Sequence, residues 1–441
     1  MNENISEKKS AKQKNPWSWV PTLYFTEGLP YIIIMTVSVI MYKKLGVSNE
    51  DIALFTSWLY LPWVVKPLWS PFIDIFRTKR KWVITMQFVI AAGLAIVALV
   101  IPLPNFFFIT IIIFGLLAFC SATHDIAIDG FYMLALSEDK QAFFVGIRST
   151  FYRIAMITGQ GLLIIFAGYL ETTLPKNSNG YVPLAWVITF FASAVLFLLF
   201  FGYHNFILPK PSDDKPAKSV QSKTIFDEFV KSFKKFFEKD KILIILGFLL
   251  LYRLGESQLI KLSPVFMLDS RSAGGLGLST TDVGFIYGTI GIIALILGGI
   301  LGGILIAKFG LKKMLWIMIA AINVPDIVYV YMAFAQPTNV FIVYSCVAVE
   351  QFGYGLGFTA YTMYMIYIAT GEFKTSHFAL ATGFMALGMM IPSMFSGMIQ
   401  TAIGYKYFFI WVCIATIPSF IIAKYVPLDK NFGMKKIEVG K

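Results

Sequence analysis

Charge is scarce in this sequence: Asp, Glu, Lys and Arg supply 14% of 441 residues, against about 25% in an ordinary soluble domain. Cysteine is scarcer still. The three present, Cys120, Cys346 and Cys413, all lie in apolar runs, which excludes a disulfide framework and any thiolate metal motif. No nucleophile stands at a recognisable spacing from a base, and no metal-ligand spacing recurs, so the reading is of a protein that is not an enzyme and needs no cofactor. What fills the chain is apolar: 57% of residues are hydrophobic and the mean hydropathy is +0.71.

A bilayer core of about 30 Å takes roughly 20 apolar residues per helix, and runs of that length recur between short polar breaks. Twelve transmembrane helices are expected, at 17–42, 52–72, 82–103, 105–135, 142–170, 183–208, 241–268, 282–307, 314–335, 340–368, 378–403 and 408–427. Backbone groups in lipid must be satisfied within the segment, so the long 105–135 run is read as a single helix. The first apolar run exceeds the 7 to 15 residues of a signal-peptide core, which predicts an uncleaved first span.

The net charge of +12 could suggest nucleic acid as a partner, but its placement argues otherwise. With the N-terminus inside, the inner tails and loops hold 27 of the 37 Lys and Arg residues, the outer loops hold 5, and the spans hold the other 5. That bias predicts both termini in the cytoplasm and the basic face against anionic lipid, with no nucleic acid.

The chain divides near its middle. Tail 1–16 precedes a six-helix half, 17–208; a linker, 209–240, precedes a second half, 241–427; and 428–441 forms a C-terminal tail. The linker starts with a Pro- and Lys-rich stretch. It continues as TIFDEFVKSFKKFFEKDK, whose Phe226, Phe229, Phe233, Phe236 and Phe237 recur at helical spacing opposite lysines. Such a helix lies in the membrane interface or packs under the bundle. A basic turn follows the second helix of each half: Asp74 to Trp82 matches Lys308 to Trp316 at an offset of 234 residues. Six plus six helices with that repeat predict an all-α membrane protein of the major facilitator fold, its halves related by a pseudo-two-fold axis.

Ionisable groups inside spans are costly and normally face a cavity with partners. The anions here are Glu27, Asp125, Asp129, Glu256, Asp326 and Glu350; the cations are Lys66, Arg148, Arg153, Arg253 and Lys261; His124 can be either. Counting out from the turn near Asp139, Asp125 and Arg153 are level at about 21 Å, and Asp129 and Arg148 at about 14 Å. Glu27 and Lys66 fall in the same inner half, so a cluster of the first, second, fourth and fifth helices is expected. Asp125 and Asp129 share a helical face and cannot both ionise cheaply, which suits proton coupling through Asp129, Asp125, Glu27 and His124. A static salt-bridge network is the competing reading. Arg253 and Glu256, three residues apart, either neutralise each other or bind cargo. Asp326, after Pro325, is read as structural. Gly28 and Pro30 predict a bend beside Glu27. Tyr354, Tyr361 and Tyr364 could form an aromatic sugar platform or simple helix packing.

Several of these pieces together resemble the AmpG-type muropeptide permeases, which are related to acetyl-coenzyme A transporters. They are Glu27-Gly-Leu-Pro30, Leu61-Pro-Trp-Val-Val-Lys66-Pro-Leu-Trp69-Ser-Pro71-Phe-Ile-Asp74, His124-Asp125-Ile-Ala-Ile-Asp129, Tyr152-Arg153 and Tyr252-Arg-Leu-Gly-Glu256. The family usually has Gln at the position of His124. The resemblance implies proton-coupled import of N-acetylglucosaminyl-anhydro-N-acetylmuramyl peptides across a bacterial inner membrane by a monomer, for cell-wall recycling. On this reading Arg153, Arg148, Lys66, Arg253, Glu256, Glu350, Tyr361 and Tyr364 meet an anionic sugar peptide, and Asp74 and Arg77 form a cytoplasmic gate. The related branch implies the alternative, a carrier of acetyl-coenzyme A or another anionic metabolite.

Overall fold

A computed structural model describes residues 14–175, 181–212, 214–215, 219–371 and 373–434. The described residues form helices and connecting turns. The first half holds α1 (Pro16–Lys44), α2 in two segments (Asn49–Trp58 and Leu61–Phe76), α3 (Lys79–Val100), α4 (Phe106–Ala135), α5 (138–173) and α6 (Tyr181–Ile207). Helix α7 (Ser219–Phe237) lies between the halves. The second half holds α8 (Ile242–Leu268), α9 (Thr280–Phe309), α10 (Leu311–Ala335), α11 (Val340–Ile368), α12 (374–403) and α13 (405–423). Ten stretches meet the length and hydropathy needed to cross a bilayer, and the last of these, Lys374–Ala423, reverses course at Gly404 and makes two helices. With α2, whose two segments together span Asn49–Phe76, the described residues hold twelve membrane-length helices.

Local chemistry sets the ends. The Ser48 hydroxyl accepts from the Asp51 N–H, with Glu50 and Asp51 in the first turn of α2, and Thr78 caps α3 through the Lys81 N–H, arrangements that satisfy free donors and favour the helix dipole. Ser279 and Asp282 form a reciprocal capping box at the start of α9. At Gly404 the backbone takes φ 74°, open to glycine and poorly available to other residues, so α12 ends there, at the boundary expected near 403. The break of α2 at Leu59 and Tyr60, ahead of Leu61-Pro62, was not expected from the hydropathy, which does not register a one-turn defect within an apolar run.

The burial pattern is inverted relative to a soluble protein. Large apolar side chains such as Leu199 and Leu243 point outward at 66% and 81% exposure, while Gln87, His124, His204, Glu256 and Lys261 are buried. An apolar exterior is stable in hydrocarbon, and the interior is where polar groups find partners.

Within each half, α1 packs on α5 and α8 on α12; α3 packs on α4 and α10 on α11. The same two-fold correspondence governs the seam between halves, where α2 meets α12 and α5 meets α9. Small residues allow the approach. A Cβ at Gly288 would fall 2.0 Å from the Gly161 Cα, and one at Gly397 would fall 2.3 Å from the Asn49 carbonyl oxygen. Gly161 and Gly288 each lie in a π-helical turn, Thr158–Leu163 and Ile286–Gly291. A third such turn, Ile33–Val37, follows the expected irregularity at Pro30 in α1. Wide turns of this kind loosen the i to i−4 ladder and often mark functional helices.

At one end the halves are sealed. Lys43 pairs with Asp269 at 2.5 Å, the Tyr405 hydroxyl donates to Asp269 at 2.5 Å, and Asn49 Nδ2 is within 2.8 Å of Gln400 and 2.9 Å of Tyr405. Thr280 donates to Glu171 at 2.7 Å across the same end. At the other end, where the basic turns lie, no ion pair joins the halves among the described residues. Helix α7 lies there, touching the inner segment of α2 and α12. Phe236 is buried against His377 and Phe384, whereas Val230, Phe233 and Phe237 stay exposed. The helix therefore packs under the bundle and still presents an apolar edge outward; the side chain of Phe226 lies outside the described residues.

Replacing Gly288 by Val should disrupt the α5–α9 crossing. Overpacking of this kind costs about 1–3 kcal/mol, so a lower melting temperature in detergent is expected, together with greater accessibility of a cysteine reporter at Thr280. A variant that melts and labels like the parent would contradict the crossing.

Candidate functional site

Between the halves lies a cavity of about 990 Å³ that runs from the sealed end toward the end of the basic turns. The first half places an acidic and basic cluster beside it, of which Lys66, Asp125 and Asp129 line the wall while Glu27, Tyr24 and Arg148 stand behind them. Lys66 Nζ, from the inner segment of α2, donates to Asp125 Oδ2 of α4 at 2.6 Å. One turn along α4, Asp129 Oδ1 accepts from the Tyr24 hydroxyl at 3.1 Å and lies 3.4 Å from Arg148 Nη1 of α5. Arg148 also donates to the Tyr24 hydroxyl at 3.0 Å and stands 4.8 Å from the centre of that ring. Glu27, on α1, lies beside the Asp125 carboxyl, and its Oε2 is buried with no hydrogen-bond partner among the described residues. Two neighbouring carboxyls in a low-dielectric site cannot both ionise cheaply.

The second half answers with a cation held by its own helix. The α8 backbone leaves helical geometry at Arg253, with φ −113° and ψ 23°, and the guanidinium grips Glu256 in a two-pronged pair: Nε to Oε2, and Nη2 to Oε1 at 2.9 Å. Nη2 also donates to the Tyr354 hydroxyl at 3.0 Å, and the guanidinium lies 5.2 Å from both the Tyr354 and Phe358 rings. A planar guanidinium clamped on one edge and flanked by aromatic faces is a fixed positive surface. Across the cavity Tyr31 stands edge-on to Trp63 at 5.0 Å. Glu350 lines the wall beside Gln351, whose Nε2 donates to it at 3.0 Å.

The expected cluster of α1, α2, α4 and α5 is present, but its cation on α5 is Arg148. Arg153 was expected level with Asp125 and paired with it; it is exposed, does not line the cavity and has no ion pair among the described residues. Depth along a helix does not fix azimuth, and the step of five positions from Arg148 to Arg153 turns the second side chain well away from the first. Tyr361 and Tyr364 are a second correction. Tyr361 stacks on Tyr252 at 4.6 Å and donates to the Leu249 carbonyl at 2.5 Å, and Tyr364 packs on Phe248 at 4.6 Å. Both are fully buried behind the wall, where Tyr354 alone of the three faces the cavity. His124 also points away from it, into a buried chain in which Gln87 Nε2 lies 3.2 Å from His124 Nε2 and 2.9 Å from His204 Nδ1. Arg77 caps the end of α2 and lies 6.0 Å from the Trp82 ring; the Asp74 side chain lies outside the described residues. Asp326 sits in the Val324–Asp326 turn with both carboxyl oxygens buried and without a partner among the described residues.

Tyr31, Tyr60, Trp63 and Lys261 line the cavity without having been singled out for it. Helical spacing carried part of the signal: Tyr31 follows Glu27 by four residues and Trp63 precedes Lys66 by three, so each shares a face with an expected site residue.

A cavity walled by both halves of a two-fold bundle is the architecture of a secondary transporter. Residues 22–370 match the Major Facilitator Superfamily, and the chain belongs to it. More narrowly, it is 24% identical over 423 residues to the "Putative transporter AmpG 4" of Rickettsia conorii, covering 93% of this chain and 96% of that protein. It is 24% identical over 429 residues to the "Anhydromuropeptide permease" of Escherichia coli K12, covering 93% and 81%. Among solved structures, a D-xylose–proton symporter superposes with a TM-score of 0.67 at 14% identity, over 95% of this chain and 98% of the other. The inward open conformation of the Escherichia coli xylose transporter XylE gives 0.64 at 14%, over 93% and 96%. These structures share the fold.

Arg148→Ala should destabilise the protein by about 1–3 kcal/mol, because it removes the counter-charge of a partly buried carboxylate. Arg153→Ala should stay within about 0.5 kcal/mol, as an exposed side chain with no ion pair among the described residues does. Melting curves in detergent compare them, and the reverse order would contradict the placement of the two arginines. Tyr361→Phe should cost about 1 kcal/mol for its lost hydrogen bond with no change in ligand affinity; weakened binding at unchanged stability would return Tyr361 to the site.

Proposed function

We propose that the protein is a proton-coupled importer of anhydromuropeptides or similar acidic sugar peptides across a bacterial inner membrane, in a conformation open to the cytoplasm. The observation that carries this reading is the Lys66–Asp125 pair in the wall of a large cavity, with the Glu27 carboxyl beside Asp125 just behind that wall. About 990 Å³ is at the upper end of small-molecule sites, roughly 300–1,000 Å³, and suits a sugar with a peptide arm. The relatives named as anhydromuropeptide permease and AmpG transporters support the cargo, and the excess of Lys and Arg at the open end supports the orientation.

The chemistry follows from charge neutrality. With one proton between Glu27 and Asp125, the cluster of Glu27, Asp125, Asp129, Lys66 and Arg148 is close to balanced, and its halves can move through a low-dielectric barrier. When that proton leaves to the cytoplasm, Glu27 and Asp125 repel, Lys66 is drawn more tightly to the carboxylates, and the cluster carries an extra negative charge that disfavours an anionic cargo. Cargo and proton are thereby released on the same side. Trp63, Tyr31 and Tyr354 give flat faces for sugar rings, and the Arg253 guanidinium, clamped by Glu256, flanks the peptide arm.

Uptake of labelled anhydromuropeptide into right-side-out vesicles should rise with an inward proton gradient and collapse with a protonophore. Glu27→Gln and Asp125→Asn should each abolish uphill accumulation while sparing exchange of labelled for unlabelled cargo. Undiminished accumulation by either variant would remove the acid pair from the coupling, and undiminished accumulation without a gradient would remove the coupling itself.

A further inference from the structure

Lys66, Arg148 and Arg253 each face a carboxylate of the protein. Lys261 does not. It lies on α8 two turns beyond Arg253, is 4% exposed and lines the cavity near the sealed end. Its ammonium donates to Thr56 Oγ1 at 2.9 Å and stands 5.6 Å from the centre of the Tyr60 ring. The Thr56 hydroxyl spends its own proton on the Ile52 carbonyl at 2.6 Å, so it meets the ammonium as a neutral acceptor. Among the described residues no carboxylate lies within ion-pairing distance of Lys261.

An ammonium has three donors, and a neutral hydroxyl with an aromatic face satisfies them poorly in a low-dielectric wall. A compact charge on a flexible stem also binds single anionic groups well. Ser257, one turn back toward Arg253, lines the same face of α8, so guanidinium, hydroxyl and ammonium form a stripe along one side of the cavity. Thr56 belongs to α2 of the first half, and Lys261 to the second. The bond between them therefore crosses the seam that must part when the sealed end opens.

We propose that Lys261 anchors a carboxylate of the cargo, and that the carboxylate takes the ammonium from Thr56 and so loosens the tie between α2 and α8. The proposal rests on the reading of the protein as a carrier of acidic sugar peptides. It adds the position of the acid and a link between binding and opening of the sealed end: the tie is exchanged, ammonium to ligand, with no proton transferred.

The test is binding to the purified full-length protein of an anhydromuropeptide and of the same compound with its peptide carboxyls amidated, for the parent, Lys261→Gln, Lys261→Arg and Thr56→Val. The parent should prefer the acid by about ten- to a hundredfold, the range of a hydrogen bond to a charged group. Lys261→Gln should erase that preference while leaving the amide within about threefold, Lys261→Arg should keep most of it, and Thr56→Val should tighten binding of the acid alone. Loss of acid and amide alike in Lys261→Gln, or an acid preference that survives it, overturns the anchor; unchanged acid binding in Thr56→Val overturns the exchange. If Lys261→Gln fails to fold, loss of the acid preference in folded Lys261→Arg without gain in Thr56→Val overturns both. Should the parent bind neither form, the muropeptide cargo is refuted, and the anchor is read instead with N-acetylmuramic acid against its methyl ester. Absence of a Lys261-dependent preference there overturns it as well. Inorganic phosphate competing more strongly than carboxylates, and only when Lys261 is present, would overturn the assignment to a carboxylate.

Discussion

One constraint organises the polar interior of this molecule: a charge placed within a membrane span is costly without a counter-charge or a dense set of hydrogen-bonding groups, and Asp326 and Lys261 stand out as the groups that lack a counter-charge among the described residues. The exterior obeys by being apolar. The interior obeys by pairing Lys66 with Asp125, Arg148 with Asp129 and Arg253 with Glu256. The pairs differ in what they permit. Arg253 and Glu256 sit on one helix and neutralise each other whatever the halves do, whereas Lys66 and Asp125 join α2 to α4 with Glu27 of α1 as a third party. A group with two possible partners can change them, which is what a carrier needs and a static scaffold does not.

The seam shows the same economy at the level of shape. Helix pairs α2–α12 and α5–α9 are exchanged by the two-fold axis, and each depends on glycine for close approach. The acidic and basic contacts at the sealed end, Lys43 with Asp269 and Thr280 with Glu171, are few and lie around these crossings. A seal made of a few hydrogen bonds and small-residue contacts can be exchanged for another of similar strength, and alternating access requires two states of comparable free energy.

Much of this was legible in the sequence because the bilayer makes hydropathy and charge placement strong signals. The spans, the division into halves and the basic turns follow from them, and so does the gathering of Glu27, Lys66, Asp125 and Asp129. What the sequence did not carry is azimuth and register. Arg148 and Arg153 are nearly equal by depth, and only the rotation of α5 separates a cluster residue from an exposed one. Tyr354 and Tyr361 share a face at seven residues' spacing, yet the close packing of α11 on α8 buries Tyr361 against Tyr252. The two-segment form of α2 and the π-helical turns are local departures of the backbone to which a helix's composition is blind, and two of those turns, Thr158–Leu163 and Ile286–Gly291, meet across the seam. Lys261 was visible as a charge, and its lack of a carboxylate emerges only when its neighbours from the other half are in place.

The central claim is that cargo and proton move together through the Glu27–Asp125 pair. The most direct measurement is the internal pH of dye-loaded proteoliposomes when unlabelled anhydromuropeptide is added outside with no gradient imposed. The account predicts prompt acidification of the lumen by the parent protein and none by Glu27→Gln. Cargo entering without acidification, or acidification that persists in Glu27→Gln, would contradict it.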